Sequence, residues 1–393
     1  VNNRAVIKFG GADLATGEKV AQAAKMVAQA PYKEKIVVVS AMGKTTDALV
    51  AIVNHFNNLS DADYAEIVSM GERTSARIFC GALRAMGVQA TLFDPSQGNW
   101  PIITDSCFRD AQPLQKRTRE LVRKFVSPIL PNSIAVVCGF LGKTTEGKVT
   151  TLGRGGSDTT AILLANVLEA DEIILVKETS GIMSADPKIV PDARFIDKLD
   201  IHEAFDLVQG GAKIVKPEAL KYKSPNQRLR IVSFDSQSLA VGGTEITGSF
   251  QINSAEVDTY KNLIAINIVC DVNADNLEEA FAALERKIIY GVSSGKKSIT
   301  IFTMNGNINQ LINRLHSVKS FKAISHREKV GMLQINHPMF IDSPGVVAKV
   351  SSALSQKAIN IIEVTTSKAT INVFIVEDQL KRAEEAVKNV FET

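Results

Sequence analysis

Aromatic residues are scarce, 6% of 393 with a single tryptophan, and they nowhere interleave with a concentrated basic stripe. The net charge is only +3. Nucleic-acid binding needs such a stripe, so nucleic acid is not an implied partner. Cysteine is sparse too. Cys80, Cys107, Cys138 and Cys270 stand far apart, with no C-x-x-C and no neighbouring histidine at metal-ligand spacing, so no metal site is expected. Isolated cysteines in apolar runs are expected as small core residues in a reducing compartment. No apolar run approaches the ~20 residues that span a bilayer. No basic segment followed by an apolar one opens the sequence, so the expectation is a soluble, cytoplasmic protein. What is present is ordinary for a globular chain, 45% hydrophobic and 22% charged, and the length suits two or three domains.

The stretch TLGRGGSDTT, residues 151–160, organises the rest. An apolar strand at 134–138 (IAVVC) leads towards it, and an apolar helical run at 161–168 leaves it. Chain that enters a glycine-rich turn and leaves as a helix presents free N–H groups and a positive dipole end to an anion. Arg154, Ser157 and Asp158 add a guanidinium fork, a hydroxyl and a carboxylate. Taken alone, the decapeptide also fits a plain helix start with Ser157 or Asp158 as N-cap.

Residues 5–9 (AVIKF) read as a strand running into Gly10-Gly11, with helical spacing over 14–28. The glycine pair lets backbone approach an anion beside Lys8, although a plain strand-turn-helix connection fits equally. G-x-x-x-x-G-K-S/T is absent, so this is not a P-loop. A second apolar strand, 35–40, brings Ser40, Thr45 and Thr46 to the end of a parallel strand, where open α/β sheets bind ligands. Helix capping by Thr45 or Thr46 is the alternative. In the helical pattern of 62–86, Glu72 and Arg73 also fit solvated charges, and Ser69-Met70-Gly71 reads as a point of flexibility. Further strands at 89–93, 172–176 and 229–233 lack alternation and are mostly separated by helices. The expected architecture is therefore a largely parallel sheet covered on both faces. Lys213, just past Gly210-Gly211, is another cation beyond a glycine pair, and Pro217 opens a short helix.

Residues 235–257 are rich in Ser, Gly and Thr with little apolar periodicity, and read as a domain boundary. Beyond it the pattern predicts a strand (262–269), a helix (277–286), strands (287–290, 298–303) and a helix (308–315). It then predicts a strand (331–336), a helix (345–355), strands (360–364, 369–376) and a helix (380–391). Two successive β-α-β-β-α patterns make an internal repeat of roughly 65 to 70 residues, a tandem of ferredoxin-like modules. Few candidate catalytic groups fall in it, so binding or assembly is its expected work.

Together, KFGG (8–11), VVVSAMGKTTDAL (37–49), SMGERTSARIF (69–79), GFLG (139–142), TTLGRGGSDTTA (150–161), SADPKIVPDA (184–193), GAKIVKPEAL (211–220) and DSPGVVAKVSSALSQKAINI (342–361) resemble the aspartate kinases of the amino-acid kinase family, which carry two C-terminal ACT modules. The match runs in order along nearly the whole chain. It implies an α/β fold, a three-layer αβα sandwich with a mainly parallel sheet over 1–250. Two ferredoxin-like βαββαβ modules would follow, a degenerate one at 251–328 and a second at 329–393. The implied activity is ATP-dependent phosphorylation of the side-chain carboxylate of L-aspartate to 4-phospho-L-aspartate, the entry to lysine, threonine and methionine synthesis. ATP and Mg²⁺ would be the cofactors, an amino acid the effector, and a homodimer through the ACT modules the assembly.

On matching positions the resemblance gives Lys8, Gly10 and Gly11 to the transferring phosphate, with Lys213 as second cation. It gives Arg154 to the substrate α-carboxylate, Glu72 with Asp158 to its ammonium, and Ser40, Thr46 and Ser157 to the acceptor group. Lys8, Asp158 and Lys213 form the catalytic set. Lys177, Glu178, Met183 and Lys188 fall on the nucleotide side, and Asp342, Pro344, Gly345, Asn360 and Ile361 on an effector site. Mg²⁺ would be held mostly by substrate oxygens and water. Such a set suits phosphoryl transfer, which needs positioning and charge neutralisation more than covalent chemistry.

The departures cluster on the nucleotide side. Ala12 stands where Thr usually continues KFGG, and T-D-V-x-G reads Lys177-Glu178-Thr179-Ser180-Gly181. The following Tyr is Met183, a common Arg is Lys188, and the His of an H-P pair is Lys216. Weaker selectivity for adenine is expected. The first module lacks the D-x-P-G effector turn that the second keeps at 342–345, so control through the first is expected to be weak or absent. Two alternatives remain. One is a kinase of the same fold with a hydroxyl acceptor, homoserine or threonine, because Arg154 and Glu72 read only the backbone end of the substrate. The other is a catalytically silent amino-acid sensor, against which Lys8, Lys213 and Asp158 count.

Overall fold

Strand β1 (Arg4–Phe9) is buried without a break from Ala5 to Phe9. Successive side chains of a strand point to opposite faces, so the sheet around it is covered on both sides. This is a computed structural model that describes residues 3–153, 155–179, 181–212, 214–250, 255–285, 287–337, 340 and 344–391. It divides into two units, Val1–Phe250 and Gln251–Thr393.

In the first unit β1 is followed by α1 (Gly17–Gln29), β2 (Glu34–Val39), α2 (Thr45–Val53), α3 (Asp61–Ala85), β3 (Ala90–Phe93), α4 (Gln115–Leu121) and β4 (Ile134–Cys138). A hairpin of β5 (Leu141–Lys143) and β6 (Val149–Thr151) leads into α5 (Gly156–Leu168) and β7 (Glu172–Lys177). A second small hairpin, β8 (Ile182–Met183) and β9 (Phe195–Ile196), precedes β10 (Lys198–Asp200), α6 (Ile201–Gln209), α7 (Pro217–Leu220), β11 (Arg228–Ser233) and β12 (Thr244–Thr247). The eight-stranded sheet has the order β10-β12-β11-β7-β1-β2-β4-β3. From β11 to β3 every pairing is parallel, and β12 alone runs antiparallel to its neighbour β11. Ile173, Ile174, Leu175 and Val176 of β7 are all fully buried. Each such side chain contributes about 1.5–3 kcal/mol, so the central strands carry much of the unit's stability.

Three expectations need correction. Residues 235–257 are not all boundary, because β12 pairs with both β11 and β10 and its Ile246 is fully buried. Four residues are too few to show periodicity, and pairing rather than propensity makes this strand. Ser69-Met70-Gly71 is no break, since α3 runs unbroken for 25 residues. Gly71 is there for closeness: a Cβ would stand 2.9 Å from that of Ala41 and 3.0 Å from Oγ1 of Thr46. Cys107 is exposed, while the other three cysteines are buried.

The second unit is one antiparallel sheet in the order β14-β15-β13-β16-β18-β17. Its elements are β13 (Glu256–Val269), α8 (Ala274–Leu284), β14 (Ile289–Ser294), β15 (Ser298–Met304), α9 (Ile308–His316), β16 (Ala323–Asn336), α10 (Val346–Gln356), β17 (Ile361–Ser367), β18 (Thr370–Val376) and α11 (Leu380–Phe391). Strands β13 and β16 have 14 residues each, far longer than the sequence pattern suggested. Residues 263–269 of β13 pair with β15 and with the first half of β16, whereas 256–260 pair with 332–336. The second βα repeat therefore takes its outer strand from the start of the unit. Register shifts occur between these halves, beside Asn262 and Lys329, which both have positive φ. Such a bulge slips the period-2 pattern, which hid the full strand length. Helices α8 and α9 cover Ile264, Ile266 and Ile268, and α10 and α11 cover Leu333, Ile335 and Val373. The helix-free faces pack on each other, with Phe302 and Phe374 stacked at 3.7 Å.

Candidate active site

The order of the parallel sheet reverses at β1: the chain goes outward through β2 and returns to β7 on the other side. The crevice at the C-terminal ends of these strands is where such sheets bind ligands. Lys8 of β1 lies opposite Leu175 of β7, so Lys177, two residues on, points to the same face. The first turn of α5 meets them there. Lys8 Nζ is 2.8 Å from Oδ1 of Asp158, Lys177 Nζ is 3.5 Å from Oδ2, and the Lys216 N–H donates to Oδ2 at 3.3 Å. Burial alone would raise the Asp158 pKa, but the Lys177 and Lys8 ammoniums bring it down to about 2. Lys177 is itself lowered, by burial first, with Asp158 opposing. Asp158 was expected to share the substrate ammonium with Glu72. Its oxygens instead face two lysines and a backbone amide.

The helix start is not the plain capped one. Its N-cap is Gly155, in the left-handed region with φ 70, and both Ser157 and Asp158 stand within the first turn. Glycine reaches that conformation without strain and leaves the hydroxyl and carboxylate free for other work.

A cavity of about 510 Å³ opens beside this turn, lined among others by Lys8, Ser40, Thr46, Glu72, Arg109 and Ser157. Four of the expected substrate residues thus share one space with Lys8. Arg154 and Lys213 lie outside the described residues. Glu72 is 4% exposed and is not the solvated charge its helix position allowed. It accepts hydrogen bonds from the Ala41 N–H at 3.2 Å and the Thr46 hydroxyl at 3.3 Å. Burial outweighs these bonds and lifts its pKa to about 7. A buried carboxyl poised in this way gains most from an ammonium partner.

The Gly10-Gly11 turn departs from expectation. The Gly10 N–H donates to Oδ2 of Asp13 at 3.0 Å, so that amide is already engaged. At Gly11 a Cβ would meet the carbonyl oxygens of Ala41 and Gly43 at 2.8 Å, so this glycine allows the turns after β1 and β2 to touch. Sequence reasoning passed over Asp13. It is buried, burial lifts its pKa to about 6, and its Oδ1 has no hydrogen-bond partner among the described residues. The available signal was an aspartate three residues after Gly10, the spacing of a side-chain-closed turn. Arg109 was also missed. It sits in an irregular loop, 4.1 Å over the Tyr64 ring and 2.7 Å from Asp61, and no pattern marked it.

The expected nucleotide group is divided. Met183 and Lys188 line a second cavity of about 700 Å³ together with Thr179, Asp186, Leu207 and Ile214. Glu178 is exposed and pairs with Lys19 at 3.3 Å, and Lys177 turns to Asp158. In the second unit Gly345 is the N-cap of α10 with φ 81, Pro344 precedes it, and Asp342 lies outside the described residues. Asn360 is exposed at the head of β17, and Ile361 packs partly against the α10–α11 core. Among the described residues, no helix is long and apolar enough to cross a membrane, and no three His, Cys, Asp or Glu gather as metal ligands.

The sequence profile of the amino acid kinase family matches residues 3–233, and that of an ACT domain matches 325–389. The chain is similar to the aspartokinase of Pseudomonas aeruginosa, 29% identical over 98% of this chain and 97% of that one. It is similar to the Mycolicibacterium smegmatis aspartokinase, 28% identical over 98% and 95%. Among solved structures, aspartate kinase from Synechocystis superposes with a TM-score of 0.73 at 24% identity, covering 99% of this chain and 69% of that one. Escherichia coli aspartokinase III superposes at 0.59 and 22% in complex with aspartate and ADP, covering 99% and 100%. In complex with lysine and aspartate it superposes at 0.58 and 22%, covering 98% of both chains. At such identities the superpositions show the shared fold.

Proposed function

The chain belongs to the amino acid kinase family, and from that premise we propose that it transfers the terminal phosphoryl group of ATP to the side-chain carboxylate of L-aspartate. The observation that carries this reading is the meeting of Lys8, Glu72 and Ser157 in one cavity. Lys8 suits an anion and Glu72 an ammonium, the two charged groups that an amino-acid phosphorylation must hold. Full-length similarity to aspartokinases supports the choice of acceptor.

In this reading Glu72 holds the substrate ammonium and Arg154 the α-carboxylate. The hydroxyls of Ser40, Thr46 and Ser157 orient the side-chain carboxylate. One of its oxygens attacks the γ-phosphorus as the bond to the bridging oxygen breaks, and the electron pair leaves with ADP. A carboxylate is ionised at neutral pH, so the acceptor has no proton to lose. Lys8, fixed by Asp158, neutralises charge on the moving phosphoryl group, and Lys213 acts as second cation. The base sits in the cavity lined by Met183 and Lys188.

Mg²⁺ fits the residues present, because Oδ1 of Asp13, beside the phosphate-side turn, is a buried hard donor with no hydrogen-bond partner among the described residues. Asp13 would supply one protein oxygen, and nucleotide and water the others. The ion's contribution is to neutralise phosphate charge. We place an amino-acid effector at Asp342, Pro344, Gly345, Asn360 and Ile361, with lysine the first to test because aspartokinase III is solved with it. We also read the assembly as a homodimer through the ACT modules and the setting as cytoplasmic.

The deciding experiment is ADP release with ATP and Mg²⁺ across aspartate, homoserine, threonine and glutamate, with hydroxylamine trapping of any acyl phosphate. Turnover and trapping with aspartate are expected. Turnover with a hydroxyl acceptor alone overturns the reading, and silence with all four points to the sensor alternative.

A further inference from the structure

We propose that Lys177 is a catalytic cation of the phosphate site, bracketing Asp158 with Lys8 and placing its ammonium against the transferring phosphoryl group. This rests on the kinase reading, and it gives Lys177 a different task from the nucleoside contact expected at its position.

The backbone sets the geometry. Lys8 and Lys177 are carried by adjacent parallel strands at the point where the sheet order reverses, and their side chains leave the same face. They take opposite oxygens of one buried carboxylate, Lys8 at 2.8 Å and Lys177 at 3.5 Å. A single lysine at 2.8 Å already satisfies the fold's need to pair Asp158, so the second, longer contact calls for another explanation. Each ammonium has three donors. Among the described residues, Asp158 is the only hydrogen-bond or ion-pair partner either ammonium has. Buried donors are seldom left unmade, so the spare N–H groups mark where acceptor oxygens belong.

Access and competition agree. The Lys177 side chain is 22% exposed against 7% for Lys8, so it is the less enclosed of the two. The neighbouring acid, Glu178, is drawn to Lys19. Burial lowers the Lys177 pKa, a cost that a phosphate oxygen would relieve. A tetrahedral phosphoryl group carries several anionic oxygens, and two ammoniums held by one carboxylate form a rigid fork for it.

The test compares the wild-type full chain with Lys177→Met and Lys177→Arg. Nucleotide affinity is measured by calorimetry for ATP, ADP and adenosine, and turnover by ADP release. Lys177→Met is expected to weaken ATP about tenfold more than ADP, to leave adenosine unchanged, and to lower kcat about a hundredfold with the aspartate KM within about twofold. Lys177→Arg, which keeps the charge, is expected to recover most of the ATP preference. Equal weakening of all three ligands makes Lys177 a nucleoside contact and overturns the proposal. An unchanged ATP-to-ADP ratio in both variants makes it a structural ion-pair partner and also overturns it. The binding comparison needs no acceptor, so it decides on Lys177 even where the acceptor proves not to be aspartate. If Lys177→Met melts early, Lys177→Gln, which removes the charge but keeps a polar chain, supplies the same comparison: a lost ATP-to-ADP preference supports the proposal and an unchanged one overturns it.

Discussion

The backbone N–H of Ala41, just past the end of β2, donates to Oε1 of Glu72 on α3 across 3.2 Å. The carboxyl is thereby fixed in the cavity wall while burial holds its pKa at about 7. An ammonium binds the ionised form, so binding below pH 7 must first remove a proton. The KM for aspartate should be flat above about pH 7 and rise by up to tenfold per unit below it. The same shift affects folding. The unfolded chain gives up this proton near the ordinary 4.5, so the group's stability contribution is greatest below that pH and is lost as pH rises to 7. A series of KM values on either side of pH 7 checks the first effect. Glu72→Gln should remove the dependence and raise KM at every pH.

Lys8→Met should act on kcat. Its charge matters most where phosphoryl charge develops, so a fall of about 10²–10³ in kcat is expected, with much smaller changes in either KM. Steady-state kinetics at saturating ATP and aspartate read this directly, and full turnover would remove Lys8 from the mechanism.

Base selectivity should be weak. Met183, a flexible side chain, lines the second cavity where the family resemblance expects a flat tyrosine ring. GTP and CTP should therefore support turnover at saturating concentration. A strict requirement for ATP would contradict this.

Phe374→Ala should cost about 3–5 kcal/mol in the second unit, because it empties the stacked pair at the centre of the helix-free faces. Phe302→Ala should cost a similar amount, and the double variant less than the sum. Chemical denaturation of the full chain, followed by near-ultraviolet dichroism, reports it.

Much of the catalytic sheet was legible because its strands are uniformly buried: continuous apolar runs such as 36–39 and 134–138 are the direct imprint of a two-sided environment. Helix periodicity was equally plain at α11, whose observed bounds coincide with the expected ones. Pieces held by pairing alone, such as β12 and the two small hairpins, left no such imprint. The site divided along the same line. Lys8, Ser40, Thr46, Glu72 and Ser157 came from motifs and are assembled by the fold into one cavity. The turning of Lys177 towards Asp158, and the closure of the Gly10 turn by Asp13, depend on side-chain direction across neighbouring elements. A one-dimensional pattern carries little of that.

The shared strands β13 and β16 have a consequence for how the second unit comes into being. Residues 256–260 leave the ribosome early, yet their partners at 332–336 arrive only after a helix, a hairpin, another helix and half of β16 have been made. Until then the outer strand of the second repeat is an unpaired edge, whereas the first repeat closes on residues 323–330, which directly follow α9. The second repeat cannot complete itself without the start of the first, so it should fold late and cooperatively with it, with the slow kinetics of distant pairings. Excising the first repeat along the linear sequence would remove a strand from the second.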